Sequence, residues 1–257
     1  MIFLKLGGSL ITEKSQTETA RLEVIDRLAT EIQDVLRENP ELTILLGHGS
    51  GSFGHHAAAK FGTHNGASTI EDWKGVAAVW KAANKLHRFV MDSLLAAGLP
   101  VISFPPSASA LAQDGELISL AIQPIQHALS KGLIPVTHGD VVFDETRGAA
   151  IASTEAIFSY LTDTIKPSRI LLTGLTPGVY DRSGEILPSI TQAEFSELVF
   201  ADDKPLDVTG GMRTKVKYAL AFSKQFPGTE VRIFSGEVPG HLREVLLGSP
   251  KGTLITY

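Results

Sequence analysis

The chain has 257 residues, enough to bury a core as one large α/β domain or two small ones. A formal net charge of -5, with 43% hydrophobic and 20% charged residues, excludes the basic footprint of a nucleic-acid binder or of a protein drawn to an anionic membrane. The sequence has no cysteine, which excludes disulfides, thiolate chemistry and cysteine-ligated zinc.

No apolar run reaches membrane-spanning length and the first residues do not read as a signal peptide, so the expected setting is the cytoplasm. Ile2–Leu6 reads as a strand entering "KLGGS". Arg21–Asn39 spaces Leu22, Ile25, Ala29, Ile32 and Leu36 as one face of a helix that ends before Pro40. Leu42–Leu46 is a second strand, running into a loop, "GHGSGSFGHH", that holds His48, His55 and His56 among its glycines. A long helix over Glu71–Ala97 carries Val76, Val79, Ala83, Leu86, Val90 and Leu94, and Gly98 closes it. Val101–Phe104 is a strand, Gln123–Lys131 a helix, Ile134–Thr137 a strand, and "GDVVFDETRGAA" a hairpin. Thr154–Thr164 is a helix with Ser153 or Thr154 as cap, followed by a strand at Arg169–Thr173 and a turn-rich "GLTPGVYDRSGE". Met212–Phe226 is helical, Glu230–Phe234 a strand, Gly240–Leu247 a short helix and Thr253–Thr256 a last strand. Strands separated by helix-length connections pair in parallel. The expected fold is an α/β three-layer αβα sandwich with an open, mainly parallel central sheet.

Three glycine-rich loops suit the carboxyl ends of such a sheet, where ligands gather. They are "KLGGS" with Lys5, Gly7, Gly8 and Ser9, the stretch from Gly47 to His56, and "DVTGGMRTK", Asp207 to Lys215. Consecutive glycines let backbone N–H groups converge on an anion, and a following helix adds its dipole. With Lys5, Lys14 and Lys215 nearby, the three together favour a site for several phosphate groups. Gly49, Gly51 and Gly54 also satisfy G-x-G-x-x-G, but a dinucleotide fold needs that loop after its first strand and an acid ending the next. Neither condition holds. A Walker A loop is ruled out because His55 and His56 stand where its Lys and Ser/Thr belong. Metal binding by His48, His55, His56 and His64 lacks a carboxylate at a recognisable spacing, and no metal-ligating residue is assigned. Lys60, Lys74, Lys81, Lys85 and Arg88 read as solvated helix faces.

These pieces resemble the amino acid kinase superfamily and, within it, the isopentenyl phosphate kinases. The resemblance runs nearly end to end, through "KLGGSLITEK", "GHGSGSFGHHAAAKFG", "IPVTHGDVVFD", "LLTGLTPGVYD" and "DVTGGMRTK". It implies a single domain over 1–257, with roughly 1–165 as the acceptor-binding half and 166–257 as the nucleotide-binding half. It implies transfer of the γ-phosphoryl of ATP, with Mg²⁺, to isopentenyl phosphate by a cytoplasmic homodimer that binds neither nucleic acid nor membrane. Lys5, Lys14, His55 and Lys215 would be catalytic. Lys5, Gly7, Gly8, Ser9, Gly51, Asp181, Gly211 and Lys215 would hold the nucleotide, and Ser50, His55 and Thr154 the acceptor. His55 would donate to the acceptor phosphate, its alternative being a plain helix-cap histidine. Asp181 and Asp140 have ordinary turn and loop readings as alternatives. Val76, Val79, Trp80 and Ala83 are candidates for an isoprenoid pocket, although apolar residues at helical spacing are usually core.

Two motifs depart from the family pattern. G-G-G is here Gly49-Ser50-Gly51, and the central S-G-D is Ser153-Thr154-Glu155, with Glu155 expected to support the active-site lysines. A kinase of another small phosphate or phosphonate such as fosfomycin, or a nucleotide-binding regulator of this fold, are the alternative readings.

Overall fold

Strand β1 (Ile2–Leu6) sorts its side chains by alternation. Ile2, Leu4 and Leu6 enter one apolar cluster and Phe3 the other, which leaves Lys5 on the Phe3 face near the strand's carboxyl end. The computed structural model describes residues 1–181, 183–195 and 211–257. After β1 come α1 (Gly8–Ile11), α2 (Leu22–Glu38), β2 (Ile44–His48), α3 (Gly51–Phe61) and α4 (Ile70–Ala96). Next are β3 (Val101–Ser103), β4 (Leu111–Gln113), β5 (Glu116–Ser119), α5 (Ile122–Ser130), β6 (Ile134–His138), β7 (Asp140–Asp144) and β8 (Gly148–Ala152). The chain continues through α6 (Thr154–Ile165), β9 (Arg169–Gly174), β10 (Ser189–Ile190), α7 (Gln192–Phe195), α8 (Gly211–Gln225), β11 (Glu230–Ser235), α9 (His241–Leu246) and β12 (Thr253–Ile255).

The expected α/β sandwich is present. Its central sheet has eight strands in the order β10-β12-β11-β9-β1-β2-β6-β3, and every pair among them is parallel except β11–β12. Helices α2, α4 and α9 cover one face, while α5, α6 and α8 cover the other. A second sheet, β5-β4-β7-β8, lies outside this core sheet. The chain passes from β1 to β2 on one side and returns to β9 on the other. The winding therefore reverses between β1 and β9, where an open α/β sheet leaves a crevice.

Local chemistry sets the boundaries. Helix α4 starts at a capping box, in which Thr69 accepts from the Asp72 N–H and Asp72 from the Thr69 N–H. Its buried stripe of Val79, Ala82, Ala83, Leu86, Val90 and Leu94 repeats at helical spacing. Ser153 caps α6 by accepting from Ala156 N–H at 3.1 Å. Two expectations shift. β2 runs to His48 rather than ending at Leu46, because the parallel register with β1 persists to the Leu6–His48 pair and Gly49 N–H still donates to Leu6 O at 3.0 Å. The β4–β5 hairpin was not expected from the sequence. Its turn residues Asp114 and Gly115 have φ of 51° and 88°, the type I′ combination that an Asp-Gly pair favours.

Neighbouring parallel strands deliver the first two glycine-rich loops side by side. A Cβ on Gly8 would lie 2.5 Å from Gly51 N, and a Cβ on Gly49 would lie 2.8 Å from Gly8 N. Gly51 adopts φ +50°, in the left-handed region that glycine enters without strain. Ser50, at φ -80°, is ordinary right-handed backbone, so serine fits where the family pattern has its middle glycine. Replacing Gly8 with alanine should therefore force the two loops apart and cost at least about 2 kcal/mol. Urea denaturation of Gly8→Ala checks this; a stability equal to the parent's would contradict the contact.

Candidate active site

The carboxyl ends of β1, β2 and β9, together with the β6–β7 turn, open into a cleft of about 640 Å³. It gathers Lys5, Gly7, Gly8, Ser9 and Lys14 from the first segment, and Ser50, Gly51 and His55 from the second. Thr154, Glu155 and Lys215 complete the expected residues along its wall. Asp181 is not on the lining. Asp181 closes a turn instead, its carboxylate accepting from Ser183 Oγ at 2.7 Å and Glu185 N–H at 3.0 Å. Those bonds hold it below the ordinary carboxylate range, and the plain turn reading accounts for them. Gly211 begins α8 one residue before Met212, which does line the cleft. Residues 207–210 of the third loop lie outside the described residues.

The charged centre is assembled across the sheet's α6–α8 face. Lys5 projects there by alternation and pairs with Glu155, in the first turn of α6. Both side chains are almost buried, at 11% and 9% exposure. Burial alone pushes the Glu155 carboxyl up, but the Lys5 charge and hydrogen bond, with help from Lys215, bring it below its usual value. Lys215 approaches from α8 at the end of β9, where a Cβ on Gly174 would lie 2.9 Å from its Nζ. Glu155 therefore pairs with one lysine directly and feels the charge of the other.

Thr154, expected on the acceptor side, lines the cleft. It is buried, and its Oγ1 donates to His48 O at 2.7 Å, while its methyl group fills the space a Cβ on Gly47 would need. It starts a regular helix and is not among the residues with positive φ, so this position does not demand glycine. Lys14 is exposed on a strap that leaves α1 and returns through a Thr12–Ala20 bridge. The strap is fastened where Thr17 Oγ1 meets His56 Nδ1 at 3.0 Å and Glu18 pairs with Lys85 at 2.8 Å. Thr12 Oγ1 accepts from Ser52 N–H at 3.0 Å and donates to Gly8 O at 2.8 Å, joining both phosphate-loop candidates. Lys60, Lys74, Lys81, Lys85 and Arg88 are exposed, as the helix faces implied.

Asp140 also lines the cleft, at the turn between β6 and β7. Burial pushes its carboxyl up, opposed by donation from Ser107 Oγ at 2.6 Å and Val141 N–H at 2.9 Å. The sequence offered it only as one aspartate after a strand end. The apolar wall consists of Ala58, Val79, Ala83 and Ile151. Val79 and Ala83 thus serve both core and cleft, Val76 packs beside Val79 and Val141, and Trp80 is off the lining and 44% exposed. Among the described residues, His48, His87 and His138 are the group close enough to share a metal ion. His55, His56 and His64 are exposed and do not join them.

Glu155→Gln removes the charge opposite a nearly buried lysine and should cost about 3 kcal/mol. The folded pKa of Glu155 lies below its unfolded 4.5, so the ion pair's contribution is complete above that pH and is lost as pH falls through the folded value. The stability gap between parent and Glu155→Gln, measured by urea unfolding, should shrink as the medium is acidified below 4.5. A gap that widens on acidification would contradict the pairing.

Comparison with known proteins agrees with this arrangement. Residues 1–235 match the amino acid kinase family. An isopentenyl phosphate kinase of Methanothermobacter thermautotrophicus is 33% identical, over 100% of this chain and 99% of its own. One from Haloferax volcanii is 33% identical over 99% and 98%. A solved isopentenyl phosphate kinase structure superposes with a TM-score of 0.85 at 30% identity, covering 100% of both chains. A substrate complex of such a kinase gives 0.78 at 25% identity, covering 99% of this chain and 100% of the other. With the first two glycine-rich loops, the Lys5–Glu155 pair and the sheet order in place, the chain belongs to the amino acid kinase family, among its isopentenyl phosphate kinases.

Proposed function

We propose that the protein transfers the γ-phosphoryl group of Mg–ATP to isopentenyl phosphate, releasing ADP and isopentenyl diphosphate. The observation that carries this reading is the convergence of Lys5, Lys14, Lys215 and His55 on one glycine-walled cleft. Phosphoryl transfer asks the protein mainly to align the reactants and to stabilise charge on the group in flight. An oxygen of the acceptor phosphate bonds to the γ-phosphorus while the bond to the β-bridging oxygen breaks, and its electron pair leaves with ADP. A phosphate monoester is largely dianionic at neutral pH, its second pKa being about 6. It is already a nucleophile, and no general base is required.

In this reading residues 166–257 hold the nucleotide and 1–165 the acceptor. Lys5 and Lys215 neutralise the β- and γ-phosphates, and Lys14 meets them from the strap. Gly7, Gly8, Ser9, Gly51 and Gly211 offer backbone to the nucleotide, while Ser50 and His55 face the acceptor phosphate. Thr154 serves that side indirectly, through His48 O. The cleft's carboxylates are already engaged, Glu155 by Lys5 and Asp140 by Ser107. Mg²⁺ therefore enters as part of the substrate, held by nucleotide oxygens. Ala58, Val79, Ala83 and Ile151 suit a short branched hydrocarbon tail. No described helix is long and apolar enough to cross a membrane, in keeping with a cytoplasmic enzyme. Strand β3, at the sheet's edge with Ile102 40% exposed, leaves a face suited to a homodimer contact, which light scattering would report.

One assay decides the reading. With Mg–ATP and, separately, isopentenyl phosphate, dimethylallyl phosphate, fosfomycin and acetylglutamate, isopentenyl phosphate should be turned over with the highest kcat/KM. Turnover of fosfomycin alone would overturn the assignment, and ATP binding without any turnover would indicate a regulator. His55→Ala should raise the acceptor KM by at least about tenfold, the loss of a charge-assisted contact, and leave ATP affinity near the parent's. Equal loss of both would remove His55 from the acceptor side.

A further inference from the structure

On the sheet face opposite Lys5, behind the cleft, three imidazoles form a buried column. His48 lies two residues beyond Leu46, and His138 lies two beyond Val136. Period-two alternation therefore puts both rings on the face covered by α4, and the parallel register pairs them. His87 reaches them from the buried stripe of α4. Its ring stacks on His138 at 4.1 Å between centroids with 19° between planes, and lies 5.2 Å from His48 with 18° between planes. One nitrogen of each ring lies within 4.8 Å of the others. His48 Nε2 and His87 Nδ1, however, lie 2.9 Å apart, a direct hydrogen bond that already engages the nitrogens an ion would need.

Hydrogen bonds give the column a direction. His48 Nδ1 meets Gly49 O at 3.1 Å, and because that carbonyl can only accept, Nδ1 carries the proton. His48 Nε2 then accepts from His87 Nδ1 at 2.9 Å, and His87 Nε2 accepts from Ser103 Oγ at 2.6 Å. The alternation requires neutral rings. Burial supplies them, pushing His48 down to about 4 and His87 down to about 3.

The chain ends at one peptide of the cleft. Gly49 C=O is held towards the buried His48 ring, and the C=O and N–H of a trans peptide point in opposite directions. The Ser50 N–H is thereby turned towards the cleft, which Ser50 lines. The preceding peptide is fixed as well: Gly49 N–H donates to Leu6 O at 3.0 Å, while His48 O accepts from Thr154 Oγ1 at 2.7 Å. We propose that Ser103, His87 and His48 form a positioning relay that locks the Gly49–Ser50 peptide and aims the Ser50 N–H at a phosphate oxygen of the bound reactants. His48, His87 and Ser103 are thus positioning residues, acting through a backbone donor. The inference rests on the phosphotransfer reading above for its chemistry, but its geometry stands apart from it.

The test therefore begins without substrate. NMR of isotope-labelled histidine at neutral pH should show neutral Nδ1–H tautomers at His48 and His87. An Nε2–H tautomer or a protonated ring at either position would overturn the relay, as would one equivalent of a divalent metal bound to the purified protein. These outcomes are independent of which phosphate the enzyme uses. In kinetics with the accepted substrate, His87→Phe keeps a ring in the stack but removes both hydrogen bonds. It should lower kcat about tenfold while moving the KM for ATP by less than about twofold, the effect of a misaimed donor. His87→Gln, whose amide can both donate and accept, should recover most of that loss. A His87→Gln enzyme as slow as His87→Phe, or an unchanged kcat in His87→Phe, would overturn the relay. Where His87→Phe does not fold, Ser103→Ala decides: a kcat lower by about threefold is expected, and an unchanged kcat overturns the proposal.

Discussion

The site depends on the approach of two backbones at the carboxyl ends of adjacent parallel strands. Neighbouring strands lie about 4.8 Å apart. Loops leaving β1 and β2 can both turn over the same crevice only if nothing stands between them. Gly8 against Gly49 and Gly51 meets that condition, with an added Cβ on any of the three at 2.5–2.8 Å from the backbone of the opposite loop. Thr12 then ties the two loops through a single hydroxyl, accepting from one and donating to the other. Because the loops touch, anion donors from both converge on one volume.

That volume must be cationic within a chain whose net charge is -5. Bulk charge does not help an anionic ligand here, so attraction has to be local. Three lysines line the cleft against the carboxylates of Asp140 and Glu155, and Glu155 is engaged by Lys5. A lysine as buried as Lys5 pays for desolvation unless a partner holds its charge, and truncating that partner exposes the full penalty. Glu155 thus holds the Lys5 side chain in place before any ligand arrives. Glutamate, one methylene longer than the family's aspartate, reaches Lys5 from the first turn of α6, so this departure preserves the electrostatic link.

How much of this was legible in the sequence follows from which signals are local. β1, α2, α4 and the glycine-rich loops were readable because apolar periodicity and consecutive glycines are patterns within one segment. Lys5, Lys14, Lys215, His55 and Glu155 fell on one cleft because family motifs mark them. The imidazole column was not legible. His87 counts as polar inside an apolar helix stripe, His48 looked like a loop residue until the strand register carried β2 two residues further, and His138 becomes its neighbour only through β2–β6 pairing. Asp181 is marked by its motif, while the turn that engages its carboxylate with Ser183 and Glu185 is visible only in the structure. The β4–β5 hairpin had an Asp-Gly signal in plain view, between strands too short for a periodicity argument.

The two polar systems meet at the same loops yet occupy opposite faces of one sheet, and alternation explains why they can coexist. Lys5 follows Leu4 and so points to the face of α6 and α8, while His48 follows Gly47 and points to the face of α4. The sheet separates an ionised pair from a column of neutral rings. Contact between them would matter: the Lys5 charge already opposes protonation of His48, reinforcing what burial does to that ring. Lysine charge on one face adds to burial in keeping His48 on the other face neutral, and a neutral histidine can donate and accept in sequence. A protonated His48 would give up the acceptor that His87 needs. In the proposed mechanism the ionised face binds phosphate while the neutral face fixes the backbone that surrounds it.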